Sequence, residues 1–373
     1  MAGRPLKLFG FSTKEDKTSQ NDEKVRLTAY KIYGSTSSKS AGQQSKMVNL
    51  EHLKKYSAVV ADTGDYQAIN QFQPTDATTN PSLILTAAKL EAYEKQRYDA
   101  ILYALNRIAG KTTDEVQSLA MDKMFVLFGK EILQTIPGRV STSVDPYLAY
   151  NTEGSVSKAL ALIRLYEEES IDKERILIQL AATWEGIEAA RELESKHGIH
   201  CNMTLVFNYE QAIACAQANV TLISPFVGPI FDWHVQTTGK KKFARDEDPG
   251  VKVLYNNLQF VRKVYNYCKK FGHKTQVMAA SFSNTEQIKG LVGCDLLAIS
   301  PEFLKEIAKD KKLKPVLTVE KAKQSDLKEV NVTEQLFHSQ FKEDAMATEK
   351  LEEEIRKFKD DARLLKELID RHI

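Results

Sequence analysis

Eight short apolar runs with helix-like segments between them restrict the fold more than any other feature of the sequence. Most of the runs lack strict alternation of apolar and polar residues, which is typical of parallel strands buried on both faces. This succession of strands and helices predicts an α/β protein folded as a (β/α)8 TIM barrel. The predicted strands are residues 57–61, 76–79, 139–145, 176–180, 202–207, 221–225, 275–281 and 295–300.

The beginning of the chain departs from this pattern. Residues 1–48 are rich in Ser, Thr, Lys and Gln and carry nine basic and four acidic residues, which predicts a flexible, low-complexity basic tail. A docking arm for a partner protein is the alternative, because apolar residues such as Phe9, Phe11 and Tyr30 would serve as anchors. The barrel domain is assigned to residues 49–373.

An extra helix is predicted at the end of that domain, from about residue 343 to residue 373. Its apolar residues recur at mostly three- and four-residue spacing, which places them on one helix face. Core packing against the barrel and a coiled-coil or dimer seam both fit this stripe. The residues concerned are Met346, Leu351, Ile355, Phe358, Ala362, Leu365 and Ile369.

Composition narrows the possible partners. Lys and Arg number 52 against 50 Asp and Glu, so the chain lacks the strong basic excess expected of a nucleic-acid-binding protein. No apolar stretch is long enough to predict a signal peptide or a membrane span. The four cysteines occur singly, without a Cys-x-x-Cys pair, which indicates neither a disulfide framework nor a metal site. A reduced, cytoplasmic protein is predicted, without a membrane or nucleic-acid partner.

Seven motifs carry a family resemblance. They are Ala61-Asp-Thr-Gly-Asp65, the run DATTNPSLIL at 76–85, Asn202-Met-Thr-Leu-Val-Phe207, Ile223-Ser-Pro-Phe-Val-Gly228, Glu247-Asp-Pro-Gly250, Ala280-Ser-Phe-Ser-Asn284, and the run DAMATEKL at 344–351. Together they resemble transaldolase over about residue 49 to residue 373, and most lie where a barrel strand is predicted to end, the face that holds the site in such barrels. The resemblance implies transfer of a dihydroxyacetone unit between sugar phosphates, through a Schiff base on a fourth-strand lysine and without a cofactor.

The resemblance also implies four departures from the family pattern. At the position of the family's Schiff-base lysine this chain has Gln179, whose delocalised amide nitrogen does not form an imine. At the position of the family's third-strand glutamate it has Ser143, a much weaker base near pH 7. The two arginines that hold the substrate's phosphate fall on Pro229 and Ser283, so both cationic contacts are expected to be missing.

Other site positions match the family. Asp62 matches its first-strand catalytic aspartate, Asn80 its second-strand asparagine and Thr204 a polar site position, whereas Ser224, Phe226 and Ser281 match residues that line the substrate pocket. A purely structural role is the alternative for two of them. Asp62 would orient the turn after its strand, and Asn80 is a natural turn residue before Pro81.

These matches and departures support two hypotheses of function. The first is a pseudoenzyme that has lost transaldolase activity and acts as a binding, regulatory or structural component. The alternative is an active transaldolase or a related sugar-converting enzyme of the pentose phosphate pathway. Such an enzyme would use another nucleophile, or would catalyse a different reaction with Asp62 and the polar pocket and without a Schiff base. The predicted partners are a second copy of the chain or an active transaldolase, in a homodimer or heterodimer, and a larger protein assembly reached through residues 1–48.

Overall fold

The structure is a computed structural model that describes residues 48–107, 112–239 and 260–371. Its eight parallel strands pair in chain order, and β8 pairs with β1 to close the barrel, which confirms the predicted (β/α)8 fold. The predicted tail lies, apart from Val48, outside the described residues. The strands are β1 Ala58–Asp62, β2 Asp76–Thr78, β3 Val140–Ser143, β4 Ile176–Ala181, β5 Cys201–Val206, β6 Leu222–Pro225, β7 Gln276–Ala279 and β8 Leu296–Ile299.

Helices follow the strands and cover the outside of the barrel. Several begin at a side-chain cap that the sequence supplies, such as Asn80 before Pro81 and Thr183 before Trp184. The helices are α1 Glu51–Lys54, α2 Tyr66–Ile69, α3 Pro81–Ala88, α4 Glu94–Arg107, α5 Thr113–Leu133, α6 Thr152–Glu168, α7 Trp184–Glu192, α8 Tyr209–Gln217, α9 Gly228–Thr238, α10 Phe260–Lys270, α11 Thr285–Gly290, α12 Pro301–Ile307, α13 Val319–Lys323, α14 Glu334–Glu343 and α15 Ala345–Asp370.

The strands show why the sequence lacks alternation. All six residues of β5 are buried, and so are the first five of β4, because helices cover one face of each strand and the barrel interior covers the other. The pairing register sets Ser143 beside Gln179 and Ala181 beside Thr204. Polar side chains of neighbouring strands are therefore brought to the same end of the barrel.

Helix α15 is the predicted extra helix, and it packs against α3, α5 and α9. Asp344 caps its first turn by accepting a hydrogen bond from the Ala347 N–H at 3.0 Å. Six residues of the predicted stripe are buried, from Leu351 to Ile369, and Met346 is partly buried. This stripe is part of the core, as the first of the two interpretations predicted.

A close approach between two helices depends on Gly129 in α5. A Cβ atom there would overlap the ring and hydroxyl of Tyr166 in α6, which is fully buried and shares a 2.6 Å hydrogen bond with Thr142. Alanine at an open helix position usually stabilises by up to about 1 kcal/mol relative to glycine. We expect Gly129→Ala to be destabilising instead, because the new Cβ atom overpacks the contact. The free energy of unfolding should fall by about 1–3 kcal/mol, measured by urea unfolding.

The double variant is the control for that prediction. Tyr166→Phe removes the hydroxyl that the new Cβ meets most closely, so Gly129→Ala should be less destabilising when it is combined with Tyr166→Phe. Equal effects with and without Tyr166→Phe, or a stabilised single variant, would show that this contact does not limit the packing of α5 on α6.

Candidate functional site

A cavity of about 190 Å³ lies at the carboxyl ends of the strands. Six strands or the residues directly after them contribute to its wall, and α15 covers one side. A smaller cavity of about 30 Å³ adjoins it and shares Gln179, Thr204 and Phe358. The larger cavity is lined by Asp62, Thr78, Asn80, Ser82, Leu83, Gln179, Thr204, Ser224, Phe226, Met278, Ala280, Ser281, Glu354, Lys357 and Phe358.

The cavity brings together most of the predicted site residues. Asp62, Asn80, Gln179, Thr204, Ser224, Phe226 and Ser281 all line it. Ser143 is adjacent, because its hydroxyl donates a hydrogen bond to Gln179 Oε1. Pro229, in α9, and the exposed Ser283 are not among the lining residues. The face of the barrel that was expected to hold the site therefore does hold a polar cavity.

Asp62 is the acidic residue at the end of β1. Burial raises the pKa of its carboxyl group to about 6, although the cavity leaves the side chain partly exposed to solvent. The following turn is held by other residues, since the Asp65 N–H donates to Thr63 Oγ1 at 3.0 Å and Asp65 accepts from the Ala68 N–H at 3.1 Å. A carboxyl group that changes charge near neutral pH is suited to proton transfer.

Asn80 has a structural role in addition to lining the cavity. Its side chain caps α3 by accepting a hydrogen bond from the Leu83 N–H at 2.9 Å, and Pro81 occupies the first helical position. The turn role predicted as the alternative for Asn80 is therefore present. Because the same side chain lines the cavity, the cap fixes its position in the site.

A buried polar ladder crosses β3, β5 and β6 beside the cavity. Asn202 is fully buried, donates from Nδ2 to Ser141 Oγ at 3.0 Å and accepts at Oδ1 from Ser224 Oγ at 2.6 Å. Sequence reasoning missed Asn202 as a positioning residue. The sequence feature that could have identified it is a polar residue within a strand predicted to be buried, where polar groups need hydrogen-bond partners. This ladder holds Ser224 against the cavity wall.

Two features of the cavity wall are expected of a ligand site. Thr204 Oγ1 is buried and has no hydrogen-bond partner among the described residues, although buried hydroxyls are nearly always paired. Ser281 in the wall of this cavity adopts a positive φ angle of 56°, and Leu205, which lines the adjoining smaller cavity, adopts one of 60°. L-residues other than Asn and Asp rarely do so. Such strained residues cluster at functional sites. A ligand oxygen in the cavity would satisfy Thr204.

Sequence reasoning also missed two charged residues, which α15 contributes. Glu354 is buried, and burial raises the pKa of its carboxyl group. Lys357 lies one helical turn further on, with its Nζ 3.7 Å from Glu354 Oε2. The sequence feature that could have revealed these two residues is their charge. They flank the apolar residues Leu351, Ile355 and Phe358 on the helix, where a side chain faces the barrel rather than solvent.

The described residues exclude some other kinds of site. They contain no group of three or more His, Cys, Asp or Glu side chains able to hold a metal ion. Within the same ranges, no helix is long and apolar enough to cross a membrane. The four cysteines are buried and free. Burial raises the pKa of the Cys294 thiol to about 12, which makes it a poor nucleophile near neutral pH.

The fold and the site define a (β/α)8-barrel protein with a polar cavity at the carboxyl ends of its strands. The family model described as "Transaldolase/Fructose-6-phosphate aldolase" matches residues 59–369. The transaldolase of Cricetulus griseus is 53% identical over 86% of this chain and 93% of that protein, and the human transaldolase is 52% identical with the same coverage. The Saccharomyces cerevisiae transaldolase is 48% identical over 90% of this chain and 99% of that protein. The chain belongs to the transaldolase/fructose-6-phosphate aldolase family.

This relationship corrects the first hypothesis of function. The predictions of a pseudoenzyme and of a missing Schiff-base lysine are contradicted, because proteins about half identical to this chain over most of its length are transaldolases. The same finding supports the alternative, an active enzyme. The first hypothesis inferred a loss of activity from four aligned positions, whereas the identity over most of the chain supports the transaldolase reaction class.

Proposed function

We propose that this chain is a transaldolase-type transferase that moves a dihydroxyacetone unit from a ketose phosphate to an aldose phosphate. The observation that carries the proposal is the cavity at the strand ends, which combines a carboxyl group of pKa about 6 on Asp62 with the unpaired Thr204 hydroxyl. Membership of the family supports the reaction class.

The polar wall of the cavity suits a polyhydroxylated substrate. Gln179, Thr204 and Ser224 offer amide and hydroxyl groups that bind sugar hydroxyls, and Phe226 packs against Phe207 to form an apolar side. In its ionised form Asp62 takes the proton from the hydroxyl next to the bond that breaks, and it returns the proton when the new bond forms. This assigns binding to the neutral residues and proton transfer to Asp62.

Gln179 occupies, by the resemblance of its strand motif, the position of the family's Schiff-base lysine. Its hydrogen bond from Ser143 and its 6% exposure fit a residue that orients the substrate. A carboxamide does not form an imine, so the reactive amine of the proposed reaction comes from another residue of the site.

The proposal predicts measurable transfer. Purified protein incubated with fructose 6-phosphate and a four-carbon aldose phosphate should release glyceraldehyde 3-phosphate, followed by a coupled dehydrogenase. Leaving out the acceptor separates transfer from simple aldol cleavage, which would release free dihydroxyacetone. An authentic transaldolase assayed in parallel is the positive control, and no product from this chain under conditions where the control turns over contradicts the proposal.

The predictions about assembly and location stay proposals. They are the homodimer, the heterodimer with an active transaldolase, the larger assembly reached through residues 1–48 and the cytoplasmic location. Measuring the mass of the full chain and of a variant without residues 1–48 by light scattering separates association through the tail from association through the barrel.

A further inference from the structure

The pair Glu354 and Lys357 places an amine and a carboxyl group together at the cavity. Lys357 is the only primary amine among the described residues that line it. Residues three apart on a helix lie on the same face, and here Nζ and Oε2 are 3.7 Å apart. The neighbouring pair, Lys350 with Glu353 at 2.8 Å, belongs to the same helix but does not line the cavity.

The two side chains have different environments. The Lys357 side chain is 58% exposed and reaches the mouth of the cavity, whereas the Glu354 side chain is 11% exposed and lies in its wall. Burial raises the pKa of Glu354, which makes its carboxylate a better proton acceptor than a surface glutamate. A ketone in the cavity is therefore accessible to the amine and lies beside a group that both takes and gives protons.

We propose that Lys357 supplies the reactive amine and that Glu354 transfers its protons. The inference rests on the proposed transferase function and names the residues that the reaction uses. It also accounts for a cavity in which Gln179 and Ser143 supply neither an amine nor a carboxylate. The amine and the group that transfers its protons then come from α15, and Asp62 of β1 serves the carbon–carbon cleavage step.

The proton and bond changes balance. The Glu354 carboxylate takes a proton from the Lys357 ammonium, and the neutral amine adds to the ketone carbon, with one N–H proton passing to the carbonyl oxygen. Protonated Glu354 then gives its proton to the resulting hydroxyl, which leaves as water and produces an iminium ion. Cleavage of the neighbouring carbon–carbon bond sends its electron pair into the iminium, and the Asp62 carboxylate takes the hydroxyl proton. The aldehyde leaves, and the enamine that remains adds to the acceptor before water releases Lys357.

Borohydride trapping tests the assignment directly. Borohydride reduces a lysine-bound ketose imine to a stable amine, so full-length protein incubated with fructose 6-phosphate should gain one sugar adduct, mapped to Lys357. Lys357→Met and Lys357→Arg should both lose the adduct and lower kcat/KM by about 10³-fold or more. Glu354→Gln should keep the lysine but slow adduct formation by about 10²-fold or more.

The controls show whether the reaction needs the amine of Lys357 or only its positive charge, and whether a variant has lost activity because it is unfolded. Lys359→Met removes a lysine of the same helix that lies near the Tyr147 ring and not in the cavity, and it should keep both adduct and turnover. Thermal unfolding of each variant shows whether it is folded. A Lys357→Arg variant that still turns over indicates that only charge is needed and overturns the assignment.

The outcomes also separate this inference from the proposed function. Turnover by the wild type with an adduct on another lysine, or without any adduct, overturns the role of Lys357 and leaves the transferase function standing. Absence of turnover in the wild type, with the authentic enzyme active alongside, overturns the proposed function itself. An adduct at Lys357 that Lys357→Met abolishes together with turnover supports both.

Discussion

Replacing Asp62 with asparagine is expected to lower kcat/KM for the transfer reaction by about 10²–10⁴-fold, the usual contribution of a positioned acid–base group. Asparagine keeps the size of the side chain and one accepting oxygen, but its amide nitrogen donates hydrogen bonds and the group does not accept a proton at neutral pH. Asp62 lies in the cavity at the end of β1, and burial raises its pKa to about 6. The measurement is steady-state kinetics with saturating acceptor.

The pH profile identifies the origin of that loss. The carboxylate is the active form, so wild-type kcat/KM should fall as pH drops below about 6, where Asp62 becomes protonated. Asp62→Asn should remove this inflection. The matched control is Asp172→Asn, which changes a carboxylate that accepts from the Glu174 N–H just before β4, at the opposite end of the barrel. An unchanged profile in Asp62→Asn would assign the inflection to another group.

The free energy of unfolding of Asp62→Asn should rise at neutral pH, although its activity falls. Well below pH 3.8, the ordinary pKa of the carboxyl group, Asp62 is protonated in both the folded and unfolded states and contributes nothing to pH dependence. Above about pH 7 it is ionised in both, and the folded state bears the burial cost, which is at most about 3 kcal/mol because some solvent reaches the side chain. Asp62→Asn should therefore raise the free energy of unfolding more at pH 7 than at pH 4, so that lost activity cannot be attributed to unfolding.

The second large effect is expected from Glu169→Ala, which should lower the free energy of unfolding by about 3–5 kcal/mol. Glu169 follows α6 and forms ion pairs with Lys123 and, at 2.6 Å, with Lys130. Burial alone would raise the pKa of Glu169, but hydrogen bonds from the two lysines outweigh it and hold the pKa below its usual range. The Lys123 side chain is only 4% exposed, so removing Glu169 leaves a buried ammonium group without its partner.

Glu168→Ala is the matched control for that variant. The adjacent Glu168 pairs with Arg107 at 2.8 Å, but both side chains are substantially exposed, and such surface pairs contribute about 0–1 kcal/mol. Urea unfolding at pH 7 compares the two variants. Because the pKa of Glu169 is lowered, its stabilisation should disappear as the pH falls through that pKa. Similar losses in the two variants would contradict the importance assigned to the buried pair.

The architecture was readable from the sequence because a closed parallel barrel buries each strand on both faces. That burial leaves apolar runs, and the predicted strand at 176–180 differs by one residue from β4. Strand boundaries were less accurate where polar residues continue the pattern, as at β3, which was predicted to span 139–145 and ends at Ser143. The local amino-acid composition does not show at which residue the backbone hydrogen bonds between neighbouring strands end.

The site was readable only where strands supply it. Asp62, Thr204 and Ser224 follow from the resemblance of their strand motifs to the family's, and they line a cavity on the face where barrel proteins hold their sites. Glu354 and Lys357 do not, because α15 is far from those strands in sequence, and charged residues on an amphipathic helix are usually assigned to solvent. Only the packing of α15 against α3 and α9 shows that this part of the helix faces the cavity.

The position of α15 sets the order in which the protein is completed during synthesis. All eight strands leave the ribosome before residue 345, so the barrel has every strand it needs while one side of the cavity is still missing. A nascent chain at that stage lacks Glu354, Lys357 and Phe358 and exposes the apolar surfaces of α3 and α5 that α15 covers. Synthesis of the strands and completion of the cavity wall are therefore separated in time, and the wall is completed last.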